Sequence, residues 1–239
     1  MGPDRQMKRS ALILIFLASY LVVGKSYAQS IDEGQTGAWY MYFFDWEASE
    51  SQWGVQGDLQ YRSWNLANDF AQAIARAAVT YRPKGTKVKV VAGYAHFTSG
   101  VPGDSSLRID ENRTYVDINV PQKVGSRVKL RHRFRFEQRW IENLDFRTRW
   151  RYALFADIPF NDTAVGKGVW YASLIGELFI NGEKDIGQGL EVKRYDRTWL
   201  YGALGYGITD KLRFQAGYLH ENTNNYDKGY LQFGFSQKF

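Results

Sequence analysis

The run from Arg127 to Trp140 constrains the chain more than any other. Arg127, Lys129, Arg131, Arg133, Arg135, Glu137 and Arg139 alternate with Val128, Leu130, His132, Phe134, Phe136, Gln138 and Trp140. Period two belongs to a β-strand, whose side chains point alternately to opposite faces; a helix would spread these charges around its whole circumference. The run exceeds the roughly 9 to 11 residues that a tilted strand needs to cross a bilayer.

The next segment repeats the pattern in the same sense. Arg147, Arg149 and Arg151 share one face, and Phe146, Thr148, Trp150, Tyr152 and Leu154 share the other, so Ile141 to Leu144 reads as a hairpin connection. Alternation recurs at Trp53, Val55, Leu59 and Tyr61 against Gln52, Gln56, Asp58, Gln60 and Arg62. It recurs again at Val88, Val90, Ala92 and Tyr94 against Lys87 and Lys89, and at Thr114, Val116, Ile118 and Val120 against Arg113, Asp117 and Asn119. Weaker strand candidates are 39–46, 71–82, 170–181, 198–208, 212–221 and 229–239. Turn signals stand at Pro83-Lys84-Gly85, Pro121 to Ser126, Pro159 to Gly168 and Thr209-Asp210-Lys211. Longer polar connections are expected at 98–110, 181–190 and 221–228. Short turns on one side and long loops on the other are the pattern of the two rims of a membrane barrel.

The N-terminal residues set the expected compartment. Lys8 and Arg9 make a positive start, Ala11 to Val23 an apolar run, and Ser26-Tyr27-Ala28 a small-residue cleavage site, so residues 1–28 read as a signal peptide and 29–239 as the mature domain. Removing the leader takes away Arg5, Lys8, Arg9 and Lys25 against Asp4, a net of three, and the charge falls from +6 to +3. That balance argues against nucleic acid as a partner. With no cysteine, neither disulfides nor a lipid-modified N-terminal cysteine can form. Aromatic residues reach 16% in a chain whose mean hydropathy is −0.44, a combination expected when only every second strand residue faces lipid. Trp39, Trp46, Trp53, Trp64, Trp140, Trp150, Trp170 and Trp199 fall mostly near strand ends, where they suit interfacial girdles.

Leu231, Phe233, Phe235 and the terminal Phe239 share one face of the last strand, and this ending resembles the barrel-assembly signal of outer-membrane proteins. The reading is therefore all-β: an antiparallel up-and-down transmembrane β-barrel in the outer membrane of a Gram-negative-type bacterium. Eleven segments are counted. Bacterial single-chain barrels use even numbers, which makes the expectation ten to twelve strands: ten if Trp39 to Trp46 lies outside the barrel, or twelve, which is favoured, through one more strand between Ile31 and Asp69.

Several motifs add a family likeness: Arg131-His132-Arg133-Phe134-Arg135-Phe136-Glu137-Gln138-Arg139-Trp140, Arg147-Thr148-Arg149-Trp150-Arg151-Tyr152, Trp39, Glu111-Asn112-Arg113, Glu177, and Asp196-Arg197 before Trp199-Leu200-Tyr201. Together these resemble an uncharacterised domain-of-unknown-function family of predicted outer-membrane barrels. The resemblance implies a fold and a membrane, and no activity.

If the aromatic face meets lipid, the arginines face the lumen, because Arg or Lys at the bilayer midplane costs roughly 2 to 4 kcal/mol on the lipid side. Arg127, Lys129, Arg131, Arg133, Arg135, Glu137, Arg139, Arg147, Arg149, Arg151 and Glu177 then form a candidate lumen ladder. Such a ladder could conduct small anionic solutes. Equally, Asp117, Glu137, Asp157, Glu177 and Glu221 could pair with the arginines and close the interior, leaving a structural or adhesive barrel. A third reading is an outer-membrane lipid hydrolase, for which His96 near Thr98 and Ser99, or His220 beside Glu221, would supply a dyad; His132 reads as a packing residue. Scattered histidines and the lack of a glycine-rich strand-to-helix turn offer neither a metal set nor a cofactor site. The expected partners are outer-membrane lipid, the barrel-assembly machinery through Phe239, and small anions.

Overall fold

The computed structural model describes residues 31–239 apart from 67 and 103, so the signal-peptide assignment at 1–28 lies outside the described residues. Eleven strands follow one another: β1 (Gly37–Glu47), β2 (Trp53–Ser63), β3 (Phe70–Tyr81), β4 (Lys89–Val101), β5 (Asp104–Val124), β6 (Val128–Ile141), β7 (Arg147–Pro159), β8 (Trp170–Asn181), β9 (Tyr195–Gly207), β10 (Leu212–Thr223) and β11 (Asp227–Lys238). Each pairs with its sequence neighbours, and β1 pairs with β11 to close the barrel.

The expected twelve strands are thus eleven: the described residues of 31–69 form only β1 and β2, and β1, which covers Trp39 to Trp46, lies within the barrel. Parity dictates the consequence. Hairpins reverse direction at every step, so the first and last of an odd number of strands run the same way. The β1–β11 seam is accordingly parallel, from Gly37 opposite Tyr230 to Asp45 opposite Lys238, while the other pairings are antiparallel. The barrel is not purely antiparallel, contrary to the sequence expectation.

Two of the expected long loops prove to be strand. The 98–110 segment is mostly the continuation of β4 and β5, which pair as far as Val101 opposite Asp104 across a bulge at Gly100. The 221–228 segment pairs through Asn222 opposite Asp227. Polar composition at a rim looks like a loop in sequence, yet a hairpin that projects beyond the apolar band keeps its ladder. Pro121 likewise does not end β5. It pairs with Arg131 beyond the start of β4, where β5 has a neighbour on one side only and a missing N–H is tolerated. The turn follows at Gly125, whose φ of 62° suits glycine.

The distribution of side chains is inverted relative to a water-soluble protein. Leu59, Phe134, Trp150, Leu200 and Tyr218 are exposed on the outside, whereas Asp117, Arg135, Glu137, Arg149, Arg151 and Glu177 are buried within. Trp46, Trp53, Trp140, Trp150 and Trp170 lie on the outer face, but Trp39 and Trp199 turn inward and meet edge to face, ring centroids 5.2 Å apart. This corrects the expectation of girdle positions for those two. Small residues make room for the inward rings: a Cβ at Gly205 would collide with the ring of Tyr171, and one at Gly93 with Tyr115.

Candidate functional site: an ion-paired lumen

The inner wall from β5 to β9 is built by register. Arg135 stands opposite Asp117 on β5 and Arg151 on β7; Glu137 stands opposite Tyr115 and Arg149; Arg139 stands opposite Arg113 and Arg147. Like charges directly across a ladder repel. The carboxylates between them resolve this.

Glu137, 1% exposed, is the node. Its Oε2 accepts from Arg149 Nη2 at 2.7 Å and its Oε1 from Arg151 Nη1 at 2.7 Å. Arg135 and Arg113 approach to 3.6 and 3.8 Å. Arg135 in turn donates Nε and Nη2 to the two oxygens of Asp117 at 2.6 and 2.8 Å, a bidentate pairing. Glu111 accepts from both Arg113 and Arg139, and Glu177 from both Arg133 and Arg151. Arg149 reaches on to Asp196 Oδ2 at 2.7 Å, and Arg197 to Glu221 Oε1 at 2.6 Å. Guanidinium planes also rest on rings, Arg151 on Phe179 at 4.2 Å and Arg113 on Phe97 at 3.7 Å.

Asp196 reaches this network through a local irregularity. Phe179 pairs with Arg197 and Ile180 with Tyr195, so Asp196 is left over in a bulge between them. A bulge re-aims a side chain, and here it lets Asp196 and Arg197 both join the inner network.

The residues of the expected ladder do not all lie together. Arg133, Arg135, Glu137, Arg139, Arg149, Arg151 and Glu177 meet in the network above. Arg131 bonds Asn119 Oδ1 at 2.9 Å and lies 3.6 Å over the Phe155 ring, with no carboxylate among the described residues within 4 Å. Arg147 lines the lumen with its buried Nε unbonded. Arg127 falls outside the lumen, in the β5–β6 turn, donating to Phe160 O, and Lys129 is exposed at that rim. Of the five acids expected to pair, Asp157 instead accepts from Ser173 Oγ. Glu111 and Asp196 were not among them, although both occur in the sequence motifs of the family likeness.

A second polar line climbs the opposite wall. Arg76 Nε donates to Asp58 Oδ1, Gln60 Nε2 to Asp58 Oδ2, Arg62 to Gln60 Oε1 and Gln72 Oε1, and Gln72 Nε2 to Ser99 Oγ. Arg62 lies 3.6 Å over the Trp39 ring.

Between these walls lie two cavities of about 500 and 480 Å³. Phe43, Arg76, Arg133 and Phe155 line both, so the two cavities meet at these residues. The cavity toward the rim where the C-terminal strand ends is basic, with Lys87, Arg131, Arg213 and Lys238 in its wall. The other combines Arg62 and Arg147 with Trp39, Phe97, Phe179 and Trp199.

A family model described as "Protein of unknown function (DUF2490)" matches residues 36–232, from just before β1 into β11. The chain belongs to the DUF2490 family. The match takes in nearly the whole DUF2490 barrel, including both arginine-rich strands and every member of the inner network. A search of curated proteins finds no match.

Proposed function

We propose that this DUF2490 protein is an integral outer-membrane β-barrel whose lumen is closed to free diffusion at an ion-paired waist, leaving two anion-attracting half-lumens that open toward opposite rims. The observation that carries the reading is the pairing of the two arginines where the cavities meet, Arg76 with Asp58 and Arg133 with Glu177, beside the rings of Phe43 and Phe155. Arginines that would track anions through an open pore are instead held by carboxylates and rings. The exposed aromatic and aliphatic outer face supports insertion in lipid, since such a surface would be costly in water. On this reading residues 1–28 direct export, the outer membrane is the destination, and the terminal Phe239 is read by the assembly machinery.

Purified protein in planar bilayers tests the closed waist. The parent is expected to give no step currents, and Glu177→Ala, which frees Arg133 where the two cavities meet, intermittent ones. Regular steps from the parent would replace this reading with that of a narrow channel. Arg131, Arg213, Lys87 and Lys238, which make no ion pair among the described residues, favour anion selectivity for such a channel, and a reversal potential under a salt gradient would report it.

A further inference from the structure

The outer face of the barrel carries a polar group that the lumen does not use. His96 and Thr98 stand on the outward side of β4. By register, His96 faces Ala75 on β3 and Asn112 on β5, and Thr98 faces Ala73 and Asp110. His96 Nδ1 lies 2.9 Å from Asn112 Oδ1, which also accepts from Tyr94 OH at 2.6 Å. An oxygen already serving as acceptor requires the proton on Nδ1, so Nε2 is the free lone pair. Nε2 is 3.4 Å from Thr98 Oγ1. The hydroxyl donates to Asp110 Oδ1 at 2.7 Å, and that carboxylate lies 3.9 Å from Nε2. A hydroxyl within reach of an imidazole that is oriented by a third group becomes an activated nucleophile once its proton turns from Asp110 to Nε2.

An apolar groove of about 600 Å³ leads away from this group. The outward alanines Ala73 and Ala75 form part of its floor, Leu59 and Tyr61 belong to its wall, and His96 and Thr98 stand at its edge. Along β5 the outward residues pass from Ile118 and Val116 to Thr114, Asn112 and Asp110. The nucleophile therefore sits where the surface changes from apolar to polar, which is the depth of the ester groups of a membrane lipid.

We propose that His96, Thr98 and Asn112 form an acyl-ester hydrolase site on the lipid-facing surface, with the alanine-floored groove holding an acyl chain. The Thr98 hydroxyl, which donates to Asp110 at rest, turns its one proton toward His96 Nε2; Oγ then attacks the ester carbonyl carbon as that proton passes to Nε2. The carbonyl carbon releases the lysolipid oxygen, which leaves with that proton. Water then gives a proton to His96 as its oxygen attacks the acyl-threonine, and Thr98 Oγ departs reprotonated, so ester and water become fatty acid and alcohol. Asn112 is a positioning residue that holds the ring and its tautomer, and Asp110 stabilises the imidazolium. Strand N–H groups here are taken up by the ladder, so the oxyanion lacks a dedicated pair of donors. Turnover is expected to be slower by about 10² to 10³ than where such donors exist.

The inference rests on the membrane reading above, and the test separates them. Full-length protein is inserted into vesicles of palmitoyl-oleoyl phosphatidylethanolamine and phosphatidylglycerol, and folding is checked by heat-modifiable gel mobility. Fatty-acid release is followed by mass spectrometry, and a long-chain alkyl sulfonyl fluoride is used to trap the nucleophile. The parent is expected to release fatty acid slowly and to carry the label on Thr98. His96→Ala and Thr98→Ala should lose release by about 10²-fold or more, Thr98→Ser should retain it, and Asn112→Ala should lower kcat while shifting its pH profile. An inserted, folded parent that neither releases fatty acid above protein-free vesicles nor takes the label overturns the site alone, as does release that survives Thr98→Ala. Failure to insert overturns the membrane reading and this one with it.

Discussion

Lys89 Nζ lies 2.6 Å from Asp45 Oδ2, although β2 and β3 stand between their strands. The pair therefore spans a chord of the lumen and ties two parts of the wall that the backbone ladder does not join directly. Lys89 is largely buried and Asp45 is a third exposed, so Lys89→Met should destabilise the barrel by about 1 to 3 kcal/mol, below the range of a fully buried pair. Urea unfolding of the vesicle-inserted protein measures this; an unchanged midpoint would show the tie to be idle.

Replacing Glu137 by Gln removes the charge and one of the two oxygens that Arg149 and Arg151 share, and leaves them their second partners, Asp196 and Glu177. A loss of about 3 kcal/mol is expected, at the low end for breaking a buried pair because those partners remain. A double-mutant cycle of Glu137→Gln with Arg151→Gln should show a coupling of about 1 kcal/mol or more; additive losses would mean that the two side chains act independently.

Gly205→Ala should destabilise by about 1 to 3 kcal/mol, because the new Cβ meets the ring of Tyr171 on the neighbouring strand. Adding Tyr171→Ala should return part of that loss. If the second substitution deepens the defect instead, the small residue is needed for backbone curvature rather than for the ring.

Leu200 stands near the middle of β9 on the outer face, 57% exposed. In a bilayer Leu200→Arg should destabilise by about 2 to 4 kcal/mol, whereas on a surface facing water the change would be nearly silent. Comparing unfolding of parent and variant in vesicles distinguishes the two settings, and a neutral result would count against burial of this face in lipid.

The strands were legible wherever two chemically distinct faces alternate. β2, β4, β5, β6 and β7 announce themselves this way, and Asp58 and Gln60 lie inside while Leu59 and Tyr61 lie outside, as the alternation implies. β1 read as only a weaker strand at 39–46 because both its faces are apolar: Tyr40 and Tyr42 point out, while Trp39, Met41 and Phe43 point into the lumen. Strand number failed for a different reason, since an expectation of evenness outweighed a correct count of segments. Nor could pairing of the inner charges be read from alternation, which sets the face but not which carboxylate reaches which guanidinium. Arg133 finds Glu177 two strands away, and Asp196 joins only through a bulge. The outer site was half visible: His96 and Thr98 are neighbours in sequence, but Asn112 arrives from the next strand by register.

The parallel seam bears on how such a molecule assembles. Every other strand pair can nucleate as a hairpin, from residues close in the chain, whereas β1 must find β11 across almost the full length of the described polypeptide. Parallel pairing is slightly weaker per residue than antiparallel, and contacts so distant in sequence form late. Closure is therefore expected to be the final and least locally encoded event, and a sheet that has not yet closed would present two bare edges. An isolated β1 peptide added at that stage would compete for the β11 edge and stall the barrel as an open ribbon.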